Sequence, residues 1–282
     1  MIGVYDSGYG GLTILEALRR VLARQDFVYL GDSGRAPYGG RDVNAVLDFS
    51  EQCVARLFEE GCEILVVACH TVSCTALRHL QRMFAPTTND PRRVLGVTIP
   101  TAEAAVAISR GHIGIIGTAR TIQSGTFVTE IAKLSPHRVT SHPAPLLTPI
   151  VEQAWEDTDI ARLAVERYVA AFRDVDTLVL ACTHYPLLRD AFEAAIPSGV
   201  QILDPSMHVA QRLANWLDRH PGFVPNGRGE LRVLCTGHPE EFRRHGKRFL
   251  GAELPRVEHI AEERGRLAHR DEVLIIQGQV VR

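Results

Sequence analysis

Several things are missing from this sequence, and each absence narrows its function. No apolar run approaches the roughly 18 residues that a membrane span needs, so no membrane partner is expected. There is no excess of basic charge: 31 Lys and Arg stand against 33 Asp and Glu, for a net charge of −2. The electrostatic footprint of a nucleic-acid binder is therefore absent. No two of the six cysteines have CxxC spacing. Six cysteines in a chain this long do not make a disulfide framework. There is no G-x-x-x-x-G-K-[ST] phosphate loop, and Thr13 stands where G-x-G-x-x-G would need its third glycine. The start, Met1-Ile2-Gly3-Val4-Tyr5-Asp6, reads as a strand and not as a signal peptide, so a cytoplasmic chain is expected.

What is present is an ordinary apolar fraction of 45% and a strong internal repeat. The run Ile64 to Val67 continues into Ala68-Cys69-His70-Thr71, and the same design returns as Leu178-Val179-Leu180-Ala181-Cys182-Thr183-His184. A short run that is apolar on both faces reads as a buried parallel strand, and its C-terminal tip is where open α/β sheets hold ligands. Ile2-Gly3-Val4 likewise matches Ile113-Gly114-Ile115. Gly3 and Cys69 stand 66 positions apart (69 − 3), and Gly114 and Cys182 stand 68 apart (182 − 114). The repeat predicts two similar halves, each giving one cysteine to a shared cleft.

Along the chain, apolar strands alternate with helical patterns. Strands are expected at Ile2–Tyr5, Phe27–Gly31, Val94–Val97, Val200–Leu203 and Leu231–Leu234, besides the two cysteine strands. Helices are expected over Leu12–Leu22, from Val43, over Val72–Met83, Thr101–Ser109, Thr121–Lys133, Leu147–Trp155 and Ile160–Phe172, from Pro186, and over Met207–Leu217 and Glu240–Leu250. The glycine-rich turn Gly8-Tyr9-Gly10-Gly11 reads as a turn that lets a substrate approach Asp6. His142 to Pro145 reads as a loop, and so does Asp32 to Arg41, which lies at a strand's C-terminal end. The fold expected is α/β: two pseudosymmetric domains with parallel sheets, helices on both faces and the active site in the cleft between them. The divisions are 1–97 with 206–260 (the last strand–helix pair returning to the first sheet), 98–205, and an extension, 261–282. In the extension, Val273–Ile276 reads as an added strand.

Two thiols on opposite faces of one carbon make a two-base system. One thiolate removes a proton and the other thiol delivers one to the opposite face, inverting configuration without a redox step. The ordinary cysteine pKa, about 8.5, needs only a modest shift for such work. A helix N-terminus after each strand is expected to supply that shift by lowering it. Asp6 and His184 are the neighbouring acid and base, one near each thiol. Thr71, Thr118, Thr121 and Thr183 offer hydroxyls for an amino-acid carboxylate. Cys53, Cys62, Cys74 and Cys235 read as small buried hydrophobes. Zinc ligation by Cys69 with His70 or Cys74 is set aside, because no further segment supplies the remaining ligands at a workable spacing.

At these residues the chain resembles the cofactor-independent glutamate racemases of the aspartate/glutamate racemase superfamily. The matching segments are Asp6-Ser7-Gly8-x-Gly10-Gly11-Leu12, Gly31-Asp32-x-x-Arg35-x-Pro37-Tyr38-Gly39, Ala68-Cys69-x-Thr71, Gly114-x-x-Gly117-Thr118 and Cys182-Thr183-His184-Tyr185-Pro186-Leu187-Leu188. The resemblance covers about residues 2 to 260. It implies racemisation of glutamate, supplying D-glutamate for peptidoglycan, with no cofactor: neither pyridoxal phosphate nor metal. It implies that Cys69 serves the D-enantiomer and Cys182 the L-enantiomer. Asp6, Ser7, Tyr38, Gly39, Thr71, Thr183 and His184 would line the substrate site, with Asp32 and Glu152 in support. The chain departs from the family at His70, where Asn is usual, at Val72-Ser73-Cys74 and at Thr98-Ile99-Pro100. Imidazole fills more space than a carboxamide and ordinarily titrates near neutral pH. His70 therefore keeps three alternatives open: a racemase for another amino acid, an isomerase or lyase for a related carboxylic acid, and an amino-acid-binding regulator. The partner expected is a small-molecule amino acid, and a homodimer is left open.

Overall fold

The first strand, β1 (Ile2–Asp6), is buried at every residue, as a run apolar on both faces requires. It opens the computed structural model, which describes residues 1–87, 90–223, 227–263 and 265–269. The first half continues through α1 (Leu12–Val21), β2 (Phe27–Gly31), α2 (Val43–Glu59), β3 (Ile64–Val67), α3 (His70–Thr75), α4 (Leu77–Phe84) and β4 (Arg93–Gly96). The second comprises α5 (Thr98–Ile108), β5 (His112–Gly117), α6 (Ala119–Gln123), α7 (Thr126–Leu134), β6 (Arg138–Pro143), α8 (Leu147–Glu152), α9 (Asp159–Val169), β7 (Thr177–Ala181), α10 (Arg189–Ala195) and β8 (Gln201–Leu203). The chain then runs through α11 (Ser206–Arg219), β9 (Leu231–Cys235), α12 (Pro239–Leu250), β10 (Val257–Glu263) and β11 (Arg266–His269).

Local chemistry marks the ends. The Asp42 carboxylate caps α2 by accepting from the Asn44 N–H at 2.8 Å. Thr158 caps α9, and α12 stops at Gly251, whose φ of 69° suits a residue without a side chain. On α1, Leu12, Ile14, Leu15, Ala17 and Leu18 face inward.

The strands form two sheets, one in the order β11-β10-β9-β2-β1-β3-β4, the other β6-β5-β7-β8. The run β2-β1-β3-β4 is thus repeated as β6-β5-β7-β8. In both, the central strand is parallel to its two neighbours: Val4 pairs with Tyr29 and Val66, and Ile115 with Ser141 and Val179. These are two α/β domains of like topology. One apolar cluster runs through both, from Val4, Leu15 and Val66 to Phe172, Leu178 and Leu180. Truncating a fully buried leucine such as Leu180 to alanine should cost about 2–5 kcal/mol. No helix among the described residues is long and apolar enough to cross a membrane.

Several expectations need correction. The helix expected over Thr121–Lys133 is two helices, α6 and α7, parted at Gly125, which has a φ of 66°. That over Val72–Met83 is also two, broken at Ala76. Pro186 lies in a 3₁₀ turn, Tyr185–Leu188, ahead of α10. His142 and Pro143 end strand β6 and do not belong to a loop. β6 carries little apolar sequence because it lies at a sheet edge and none of its residues is fully buried. The sheets are not wholly parallel, since β10 and β11 form an antiparallel pair. Residues 261–263 and 266–269 of the extension therefore continue the first sheet, and the Val273–Ile276 run lies outside the described residues.

Candidate active site

Both cysteines stand at strand tips. Ala68 still bonds to the Tyr5 carbonyl at 2.8 Å; Cys69 then turns the chain and is the N-cap residue of α3. Cys182 follows β7 directly. They are 5% and 6% exposed and line the same cavity, of about 110 Å³. Ser7, Tyr38, Gly39, His70, Thr71, Thr118, Glu152, Thr183 and His184 line it with them. Asp6, Asp32 and Thr121 stand behind this wall: all three are fully or almost fully buried and none borders the cavity.

On the first-half side, Ser7 Oγ lies 3.4 Å from Cys69 Sγ. Burial pushes the Cys69 thiol up to about 12, and Asp6 adds to this. The Ser7 hydroxyl and the Val72 N–H oppose it. The expected lowering by a helix N-terminus is thus present but outweighed, because removing a thiolate from water costs more than one N–H returns. Asp6 accepts from the Gly8 N–H at 2.9 Å. Its pKa is raised by burial, against the opposing pull of His184.

On the second-half side, Thr148 Oγ1 is 3.7 Å and His184 Nδ1 3.9 Å from Cys182 Sγ, and His184 Nε2 meets Glu152 Oε1 at 3.2 Å. Burial by itself would lower the His184 pKa. The hydrogen bonds and charges of Cys182 and Glu152 outweigh it and push the pKa up to about 10. His184 is therefore a cation at neutral pH, beside a cysteine and a glutamate. Thr148 goes unnoticed in the sequence, where nothing separates it from any other helical threonine.

The glycine-rich turn makes this meeting of halves feasible. A Cβ on Gly10 would come 2.2 Å from Thr183 Oγ1 and 2.6 Å from His184 Nδ1. The requirement for glycine there is set by the other half's segment, and not only by an approaching substrate. Thr71, Thr118 and Thr121 form a triangle of hydroxyls, with Thr71 and Thr118 2.9 Å apart and Thr118 and Thr121 3.0 Å apart. The Asp32 carboxylate accepts from Tyr38 Oη, from Arg35 Nε at 2.8 Å and from Thr236 Oγ1 at 2.6 Å.

His70 is 2% exposed, and its ring is stacked 6.1 Å from that of Phe127. Neither ring nitrogen has a hydrogen-bond partner among the described residues. Burial pushes its pKa down to about 3, so the expectation of titration near neutral pH is corrected: the imidazole is neutral. Among the described residues, no group of three or more His, Cys, Asp or Glu side chains could hold a metal ion.

The family model described as Asp/Glu/Hydantoin racemase matches residues 12–213. A glutamate racemase of Thermus thermophilus is 38% identical over 264 residues, spanning 93% of this chain and 96% of its own. One of Geobacter metallireducens is 36% identical over 267 residues, spanning 93% and 97%. The crystal structure of glutamate racemase isoform RacE1 from Bacillus anthracis superimposes with a TM-score of 0.86 at 33% identity, covering 94% of this chain and 98% of that one. That of a Francisella tularensis glutamate racemase in complex with D-glutamate gives 0.84 at 28% identity, covering 92% and 97%. With a model matched over most of its length and relatives aligned almost end to end, this chain belongs to the Asp/Glu/hydantoin racemase family.

Proposed function

We propose that the protein is an isomerase that racemises glutamate by passing the Cα proton between two cysteines. One observation carries the reading: two cysteines from equivalent strand tips of two like-ordered sheets line one cavity. In the L-to-D direction, the Cys182 thiolate takes the Cα proton. The bonding pair stays on the substrate as a carbanion delocalised into its carboxylate, and the Cys69 thiol returns a proton to the opposite face. The protonation states support this order. Burial holds Cys69 as a thiol, the proton donor. His184, held as a cation by its bonds and charges with Cys182 and Glu152, faces the Cys182 sulfur at 3.9 Å. In the D-to-L direction the roles exchange. Ser7 and Thr148 give each sulfur a hydroxyl neighbour. Thr71, Thr118 and Thr183 hold the substrate carboxylate, Thr121 braces the first two from behind, and Asp6 and Asp32 brace the walls. Tyr38, Gly39 and neutral His70 complete the substrate surface. Supply of D-glutamate for peptidoglycan, in the cytoplasm, is the physiological part of this proposal. The strand pairing supports a first domain of 1–97 with 206–260, a second of 98–205, and a 261–282 extension of which residues 261–263 and 266–269 continue the first sheet.

Incubation of each glutamate enantiomer in D₂O tests the reaction. Loss of ellipticity together with loss of the Cα–H signal is expected. No exchange with both cysteines reduced would sink the proposal. A second reading, an isomerase or lyase for another carboxylic acid, has His70 in its favour, since it is among the residues that line the cavity. Exchange of Cα–H without net inversion would select that reading.

A further inference from the structure

The loop 32–41 runs from β2 to the Asp42 cap of α2, and beyond that chain continuity it is held at two points, one in each half of the molecule. Its root is a buried knot around Asp32, which is 0% exposed and accepts from Arg35, Tyr38 and Thr236. Tyr5 Oη donates in turn to Tyr38 Oη at 3.2 Å. The far end of the loop crosses the cleft and rests on α6. The Gly39 carbonyl accepts from the backbone N–H of Arg120 at 3.0 Å. The Arg41 carbonyl accepts from Arg120 Nε at 3.1 Å and from Arg120 Nη2 at 2.8 Å. Pro37, Tyr38 and Gly39 also form a wall of the cavity. Gly39 is pressed so close to Thr118 that an added Cβ would come within 2.8 Å of the Thr118 Cβ.

We propose that Arg120 is a positioning residue that latches this strap across the cleft and so sets substrate affinity. The proposal rests on the reading of this cavity as the substrate site. The two anchors differ in strength. Breaking the root would strand a buried carboxylate, which is costly. The bonds at the tip lie at the exposed rim, and all three come from one residue. The strap therefore opens at its tip. Substrate binds a wall that is complete only when latched, so the apparent affinity falls in proportion to the latched fraction. The chemistry inside the latched complex is unchanged, because Arg120 is not among the residues that line the cavity.

Arg120→Ala removes two of the three bonds and leaves the backbone one. It should raise KM for both glutamate enantiomers about fivefold to tenfold, equivalent to about 1–1.4 kcal/mol, with kcat not reduced. Arg120→Lys, which keeps one donor for the Arg41 carbonyl, should recover most of the loss. The same KM ratio is expected at low and high salt; a ratio that vanishes in high salt would mean charge steering and would overturn the latch. Hydrogen–deuterium exchange of the ligand-free protein gives a readout independent of turnover: segment 36–41 should exchange faster in Arg120→Ala, with 27–34 unchanged. Unchanged exchange at 36–41, or a fall in kcat at constant KM, refutes the proposal. If the wild-type protein failed to turn over glutamate, the function proposed above would fall, while the exchange arm would still decide the latch.

Discussion

Replacing His70 by leucine should make the protein more stable, and the effect can be sized from the structure. Two buried ring nitrogens without hydrogen-bond partners among the described residues are a burden on the folded state. An unsatisfied buried polar group costs about 1–3 kcal/mol. Leucine fills a similar volume without that cost, so stability at pH 7 should rise by about 1–3 kcal/mol, or about 2–10 °C in melting temperature for a chain of this size. The pH dependence gives a sharper test. The His70 pKa is about 3 in the folded protein, whereas a histidine in the unfolded chain titrates near 6.5. Below pH 6.5 the unfolded chain binds a proton that the folded one refuses. The wild-type protein therefore loses stability as pH falls from 6.5 toward 3, by about 1.4 kcal/mol per unit at the steepest. The leucine variant lacks this loss, so its advantage should widen by about 1 kcal/mol between pH 7 and pH 5.5. Urea unfolding midpoints of both proteins across that range measure the difference, and all other titrating groups cancel. Parallel stability curves for the two proteins would refute the reasoning, because they would mean that His70 accepts a proton in the folded state.

Other substitutions test the remaining parts of the site. Cys69→Ala and Cys182→Ala should each reduce racemisation by at least about 10²–10⁴-fold, the range typical of a general acid or base; near-normal turnover in either rejects the two-base scheme. His70→Asn should raise kcat/KM for glutamate, because a carboxamide offers donor and acceptor from one small group; a fall would show that the ring is fitted to the substrate. The charged form of His184 contributes stability that is complete below pH 6.5 and lost as pH rises through about 10. Glu152→Gln should move that loss, and the alkaline limb of kcat/KM, to lower pH; a His184 titration by NMR that does not move contradicts the assignment. Asp32→Asn puts an amide among donors that need a carboxylate, so KM should rise and the melting temperature fall; unchanged values of both would dismiss the knot.

The cysteine strands are legible in the sequence because parallel strands buried on both faces leave uninterrupted apolar runs, and the repeat doubles the signal. β6 is not legible, since an edge strand that is half exposed needs few apolar residues. The break at Ala76 is equally hidden, since Leu77 and Leu80 carry the apolar pattern beyond it, whereas Ser124-Gly125 is a turn signal that does mark the second break. The candidate site divides along similar lines. Cys69, Cys182, His184 and the Tyr38 loop announce themselves by position after strands. Thr148 and Arg120 do not, because what they touch lies 34 and 79 positions away in the chain.

By itself, then, the sequence determined the strand–helix alternation, the pairing of two cysteines and the chemistry open to them, because these follow from apolar periodicity and residue type. The tertiary structure decided the protonation states. Whether a thiol sits at about 12 and an imidazole at about 3 depends on how much water the packed halves exclude, and burial outweighs the helix N-terminus that local sequence suggests. It also decided why Gly10 must be glycine and what holds the strap, since both answers lie in contacts with the opposite half.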